Sequence, residues 1–289
     1  MTLAEAVAAA VTSWLALAIA LAYGMDALGW QLAPAAVATL ATIVVVATWL
    51  RIVRRATLNP DELVPWALIV ALLLGWQLWL AWPSLLPPGR GPDLTHHLLL
   101  VDFIQRGGRL PHDLGLEGAM GEMAHYTPGL HLLAVLVGAW AGTDGFHAIY
   151  FVVAFSAALT VGYVFLITLR LLPVQQTRIP IALTSVFMVL GVRAYVGDAF
   201  IHDSFLAQVV STLFAVAMWW AVTVWDEAPS RLINVVIALT AIGVFLTWPV
   251  WIWPPLITFV WLVLARREAT WLARARALII PLAPVAIVA

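Results

Sequence analysis

Residues 147–172 read HAIYFVVAFSAALTVGYVFLITLRLL, an apolar run with a single formal charge, Arg170, near its far end. About 20 apolar residues in a helix cross a hydrocarbon core, and a chain in that core must pair its own backbone groups. The run therefore predicts a membrane-spanning helix. Runs of similar character lie at about 3–24, 32–50, 63–83, 179–197, 204–225, 232–249, 250–266 and 272–289. Together they predict nine spans in an all-α, polytopic membrane protein. The whole composition agrees: 64% of the 289 residues are apolar and 10% are charged, against roughly 45–50% and 25% in a soluble domain.

That balance argues against a large soluble domain, and the near-neutral charge of −1, with every basic residue an Arg, leaves no footprint for a nucleic acid. Cysteine is absent, which removes disulfide frameworks, iron–sulfur clusters and thiol catalysis and leaves the redox compartment open. The first apolar run has no basic region before it and no clear cleavage site after it, so it reads as a retained anchor. The last run stops without a polar flank, and the chain is expected to be part of something longer.

One further run, Pro128 to Ala141, is too short to cross comfortably and reads as re-entrant or interfacial. With that run kept on one side, alternate connectors divide the arginines unequally. Ten fall in one set (Arg51, Arg54, Arg55, Arg170, Arg178, Arg231, Arg266, Arg267, Arg274, Arg276) and four in the other (Arg90, Arg106, Arg109, Arg193). Arg accumulates on the cytoplasmic side, so the N-terminus is expected in the cytoplasm, and the membrane is expected to be the plasma membrane of a prokaryote. The remaining polar groups are an independent check. All seven His and nine of the 15 acids, including Asp26, Asp93, Asp198 and Asp203, fall on the outer side.

The only long connector, 84–146, lies on that side. Within it Asp93 to Arg106 has Leu94, Leu98, Val101 and Ile104 at helical spacing, the pattern of an amphipathic helix lying in the interface plane. Asp93 precedes His96 by three residues and His97 by four, spacings that share a helix face. A carboxylate beside imidazoles can act as general base, metal ligand or orienter, or simply favour the helix N-terminus. Further on stand His112, Asp113, Glu117 and Glu122, then His125-Tyr126-Thr127-Pro128-Gly129 and His131. Headgroup-level packing is the simplest account of His125 and His131.

The next outer turn carries Arg193, Asp198, His202 and Asp203. An Arg within an apolar run is costly and is a functional candidate, here a bidentate phosphate partner, whereas a cap at Asp203 or Ser204 accounts for one member of the group only. Trp248, Trp251 and Trp253 at a third outer turn read as an interfacial belt, the rarer alternative being a stacking wall beside the site.

The order of these features resembles the polytopic glycosyltransferases of the GT-C superfamily: oligosaccharyltransferase catalytic subunits, protein O-mannosyltransferases and aminoarabinose transferases. A long outer loop with an early acid, an amphipathic helix, a Tyr-x-Pro-Gly segment (Tyr126 to Gly129) and acids at the next outer turn carry the resemblance, which covers residues 63–289 behind two N-terminal spans in 1–62. Where relatives have an acidic pair, this chain has Asp93 with His96 and His97. The resemblance implies transfer of a sugar from a polyprenyl-phosphate donor to an acceptor at the outer membrane face. It implies catalytic roles for Asp93, His96 and His97, and substrate contacts for Arg193, Tyr126 and His125. A divalent cation on Asp93, Asp198, Asp203 and His202 is a further implication, Mg²⁺ or Mn²⁺ before Zn²⁺, with a metal-free reaction as the alternative. Two rival classes are a transporter or flippase and a non-catalytic subunit of glycan assembly. No internal repeat is visible and the ionisable groups gather at one face, which favours surface chemistry over a translocation path.

Overall fold

The computed structural model describes residues 1–86, 93–112, 114–173, 177–192, 200, 202–266 and 270–288. Its helices are α1 (Leu3–Ala27), α2 (Pro34–Arg55), α3 (Pro60–Ala81), α4 (Asp93–Gly107), α5 (Glu117–Met120), α6 (Gly129–Ala141), α7 (Gly145–Leu171), α8 (Arg178–Gly191), α9 (Leu206–Glu227), α10 (Arg231–Thr247), α11 (Trp253–Ala265) and α12 (Trp271–Val288). Among the described residues the only β pairing is an isolated bridge between Thr2 and Thr57.

Local sequence fixes several helix starts. Thr2 and Glu5 form a reciprocal capping box on α1, Asp144 caps α7 and Ser230 caps α10, each satisfying backbone N–H groups that the first turn leaves free. α2 and α3 open on Pro34 and Pro60, where a missing N–H costs nothing. Gly142, left-handed at φ 74°, ends α6.

Among the described residues five helices, α1, α2, α3, α7 and α9, are long and apolar enough to cross a membrane. The runs expected at 179–197, 232–249 and 250–266 form the shorter apolar helices α8, α10 and α11, and the last run forms α12, which contains Pro281 and Pro284. α7 is the axis of the bundle. It packs against α3, α6, α8 and α9, while α10 bridges α9, α1 and α12. By contrast α2 and α3 present Leu40, Ile43, Val46, Leu68 and Leu72 outward. Apolar faces this extensive mark a surface covered by lipid.

Ion pairs fix which helix ends lie together. Glu5 at the start of α1 accepts from Arg170 at the end of α7 and from the Trp220 indole of α9, and Arg170 also reaches Glu227 at the end of α9. Arg178 at the start of α8 pairs with Glu62 at the start of α3. At the other end Gly145 donates to Gln105 of α4, and a Cβ on Gly145 would sit 2.6 Å from Val101. The helix α4 therefore lies across the end of the bundle opposite the N-terminus, with Leu100, Val101 and Ile104 buried.

Candidate functional site

The N-terminal half of α4 is met there by two segments distant in sequence. The 3-10 turn Gly121–His125 packs along α4, and its Glu122 reaches His96 at 3.4 Å. The segment before α9 brings Asp203 within electrostatic reach of Asp93. Glu122, His96 and Asp203 thus all act electrostatically on Asp93. Partial burial and then the Glu122 carboxylate push its carboxyl up; His96 opposes the shift and Asp203 adds to it. The resulting carboxylate is more basic than an exposed one, in the direction a general base needs.

Tyr126 feels two of the same carboxylates. Burial, with Asp93 and Glu122 adding to it, pushes its phenol up to about 12, so it remains a hydrogen-bond donor at neutral pH. Its ring makes edge contacts with His97 and His131 at 5.6 and 5.8 Å and lies 6.0 Å from Trp248. The Tyr-x-Pro-Gly segment is clamped to the end of α10. Thr127 donates to the Thr247 carbonyl, and a Cβ on Gly129 would lie 2.6 Å from Thr247 and 2.7 Å from the Leu246 carbonyl. Only glycine permits that approach.

The two adjacent histidines of α4 separate. His96 is exposed and faces Glu122. His97 is 1% exposed and turns inward, with Nδ1 3.0 Å from Nε2 of His131, which is wholly buried on α6. Headgroup-level packing therefore does not describe His131, because α4, α7, α1 and α2 enclose its helix. Burial pushes the His97 imidazole down to about 4, a hydrogen bond to the Ser204 backbone working against the shift. Ser204 itself takes a left-handed φ of 60°, and its hydroxyl is buried without a partner among the described residues.

Other residues expected at the site are placed as follows. His125 pairs with Glu117 at 2.7 Å and is exposed. His202 pairs with Asp203 at 2.6 Å. Arg193 and Asp198 lie outside the described residues. Among the described residues no three His, Asp or Glu side chains are gathered closely enough to hold a metal, and His202 and Asp203 are engaged with each other. The tryptophans divide between their two readings: Trp248 packs beside Tyr126, whereas Trp251 and Trp253 are exposed, as a lipid belt requires.

Two features were not read from the sequence as site features. Glu122 pairs with His96 and acts electrostatically on Asp93, and His131 is the buried partner of His97. Each pairing spans roughly thirty residues of chain and leaves no local periodicity to detect. Comparison with protein-family models, with curated proteins and with solved structures gave no match.

Proposed function

We propose that this protein is a membrane glycosyltransferase that moves a sugar from a polyprenyl-phosphate donor to an acceptor at the outer membrane face. The observation that carries the reading is the meeting of Asp93, His96, Glu122, Tyr126 and Asp203 at one end of an apolar bundle. A lipid-linked donor requires a site at the membrane surface, and activating an acceptor hydroxyl or amide requires a base there. In this reading Asp93 takes the acceptor proton, Tyr126 donates a hydrogen bond to the bound sugar, and His97, held by His131, fixes the position of α4 beneath them. Arg193 is assigned to the leaving phosphate, whose developing charge a guanidinium stabilises. The nine-span arrangement with a cytoplasmic N-terminus belongs to the same proposal.

The test is Asp93→Asn in the full chain, reconstituted with a polyprenyl-phosphate sugar. Loss of a positioned base typically costs roughly a hundredfold or more in rate, and transfer is expected to fall at least that far with expression and melting behaviour unchanged. Full activity in that variant removes Asp93 from the mechanism.

A further inference from the structure

At its loop end α1 finishes in a carboxylate that the Asp93 cluster does not use. Asp26 is only 8% exposed. One of its oxygens accepts from the Leu110 backbone at 2.8 Å, and the other lies 2.6 Å from Nε2 of His112. The Leu32 backbone donates to the Gly108 carbonyl, tying the α1–α2 turn to the segment after α4. Between them is a cavity of about 460 Å³ lined by Asp26, Trp30, Gln31, Gly108, Arg109 and His112. Both Asp26 oxygens are occupied, and Arg109 has no acidic partner among the described residues. The cavity therefore presents the Arg109 guanidinium, which pairs with no acid among the described residues, beside an imidazole held from behind by Asp26.

A second cavity, of about 270 Å³, is bounded by the same α1–α2 hairpin with α6 and α7. Its wall is apolar: Trp14 and Trp140 pack at 5.9 Å, Phe151 stacks on Phe155, and the Trp14 indole N–H is already donated to Thr42. Leu15 lines this cavity and Asp26 lines the first. Eleven residues apart, they lie on one face of α1, with a helical rise of roughly 16 Å between them, about the depth of one leaflet's hydrocarbon. A charged cavity thus stands one leaflet above a dry one on the same helix face.

We propose that this pair of cavities binds one phospholipid of net negative charge, with the phosphate at Arg109 and His112 and an acyl chain between Trp14 and Trp140. Guanidinium is the side chain best matched to phosphate, and Trp30, 60% exposed at the rim, suits the headgroup level. The site is distinct from the transferase site, because α4 runs between them and its fifteen residues place Asp93 roughly 20 Å from Gly107. It stands whether or not Asp93 is catalytic.

The test is lipid retention by the full chain in detergent, read by native mass spectrometry after equilibration with dioleoyl phosphatidylglycerol or dioleoyl phosphatidylcholine. Phosphatidylglycerol is expected to be retained preferentially. Arg109→Ala, at an exposed position that tolerates truncation, is expected to weaken retention about tenfold, the effect of losing one charge-assisted phosphate contact. Val137→Trp, which fills the apolar cavity, is expected to weaken it independently, and excess inorganic phosphate is expected not to displace the lipid. Unchanged retention in Arg109→Ala overturns the proposal, as does equal retention of the two lipids or displacement by inorganic phosphate. Asp93→Asn is expected to retain lipid as the parent does, so failure here and failure of the transferase reading are read separately.

Discussion

His97 and His131 share one hydrogen bond deep below Tyr126, and each ring also lies against backbone that raises its affinity for a proton, Ser204 for His97 and Thr127 with Pro128 for His131. A neutral imidazole has one N–H, so the ring that donates to the other gives no proton to its own backbone neighbour. Burial outweighs these backbone contacts and disfavours the charged form of both rings. Such a pair resists acid. The folded protein holds His97 near 4, whereas an unfolded chain takes the proton at about 6.5. Between those values the unfolded state binds more protons, so the His97 contribution is fully present above pH 6.5 and is lost as pH falls toward 4. The expected loss from His97 alone is about 2 kcal/mol on going from pH 7 to pH 5, read as a lower denaturation midpoint in detergent, and His97→Gln is expected to reduce this dependence, leaving the part that comes from buried His131. A parent midpoint that does not move would mean that His97 is not held neutral.

At the scale of elements, the joint between α6 and α10 depends on one missing side chain. A Cβ at Gly129 would overlap Thr247 and the Leu246 carbonyl, and the carbonyl belongs to a helix end that cannot rotate away. Gly129→Ala is therefore expected to destabilise by about 1–3 kcal/mol, the usual cost of forcing extra volume into a packed joint. Gly118→Ala, where nothing lies within 4 Å, is expected to stay within about 0.5 kcal/mol. Equal melting of the two variants would show that α6 and α10 are not packed as described.

The same elements explain what the sequence made legible. Alternation at helical spacing located α4 and the face it buries, because one side of that helix meets water or headgroups and the other meets α6. Inside α6 the pattern has no contrast: the helix is enclosed, so His131 sits among apolar residues with nothing in the sequence to say which neighbour it meets. The Asp26–His112 pair was hidden for a different reason. Its members lie 86 positions apart and are joined by the folding of the α1–α2 turn onto the end of α4, an event without a local signature. Helices were legible as apolar runs, but run length overstated the one at 179–197, where α8 has 14 residues and ends at Gly191; the run at 250–266 is matched by a 3-10 turn that leads straight into α11.

For the whole molecule, two independent features divide the helix ends in the same way. Counting arginines places Arg170, Arg178 and Arg231 on one side, and the ion pairs of Arg170 and Arg178 join the ends of α1, α3, α7, α8 and α9 at that side. A helix ladder alone does not dictate this agreement, since a bundle with one span misassigned would put Glu5 and Arg170 at opposite ends. Glu5 and Arg170 are both largely buried, and an unpaired charge there would cost several kcal/mol, so the clasp strongly disfavours a shifted arrangement. Which side faces the cytoplasm follows from the arginine excess alone, and cysteine labelling tests it cleanly because the chain has no cysteine of its own. Ser84 and Thr177 are both exposed, one beyond the far end of α3 and the other just before α8. In intact cells Ser84→Cys is expected to react with a membrane-impermeant maleimide, and Thr177→Cys is expected to react only after permeabilisation. The reverse pattern would invert the orientation and put the Asp93 cluster in the cytoplasm. Labelling of both in intact cells would place the two positions on one side and break the helix-end assignment itself.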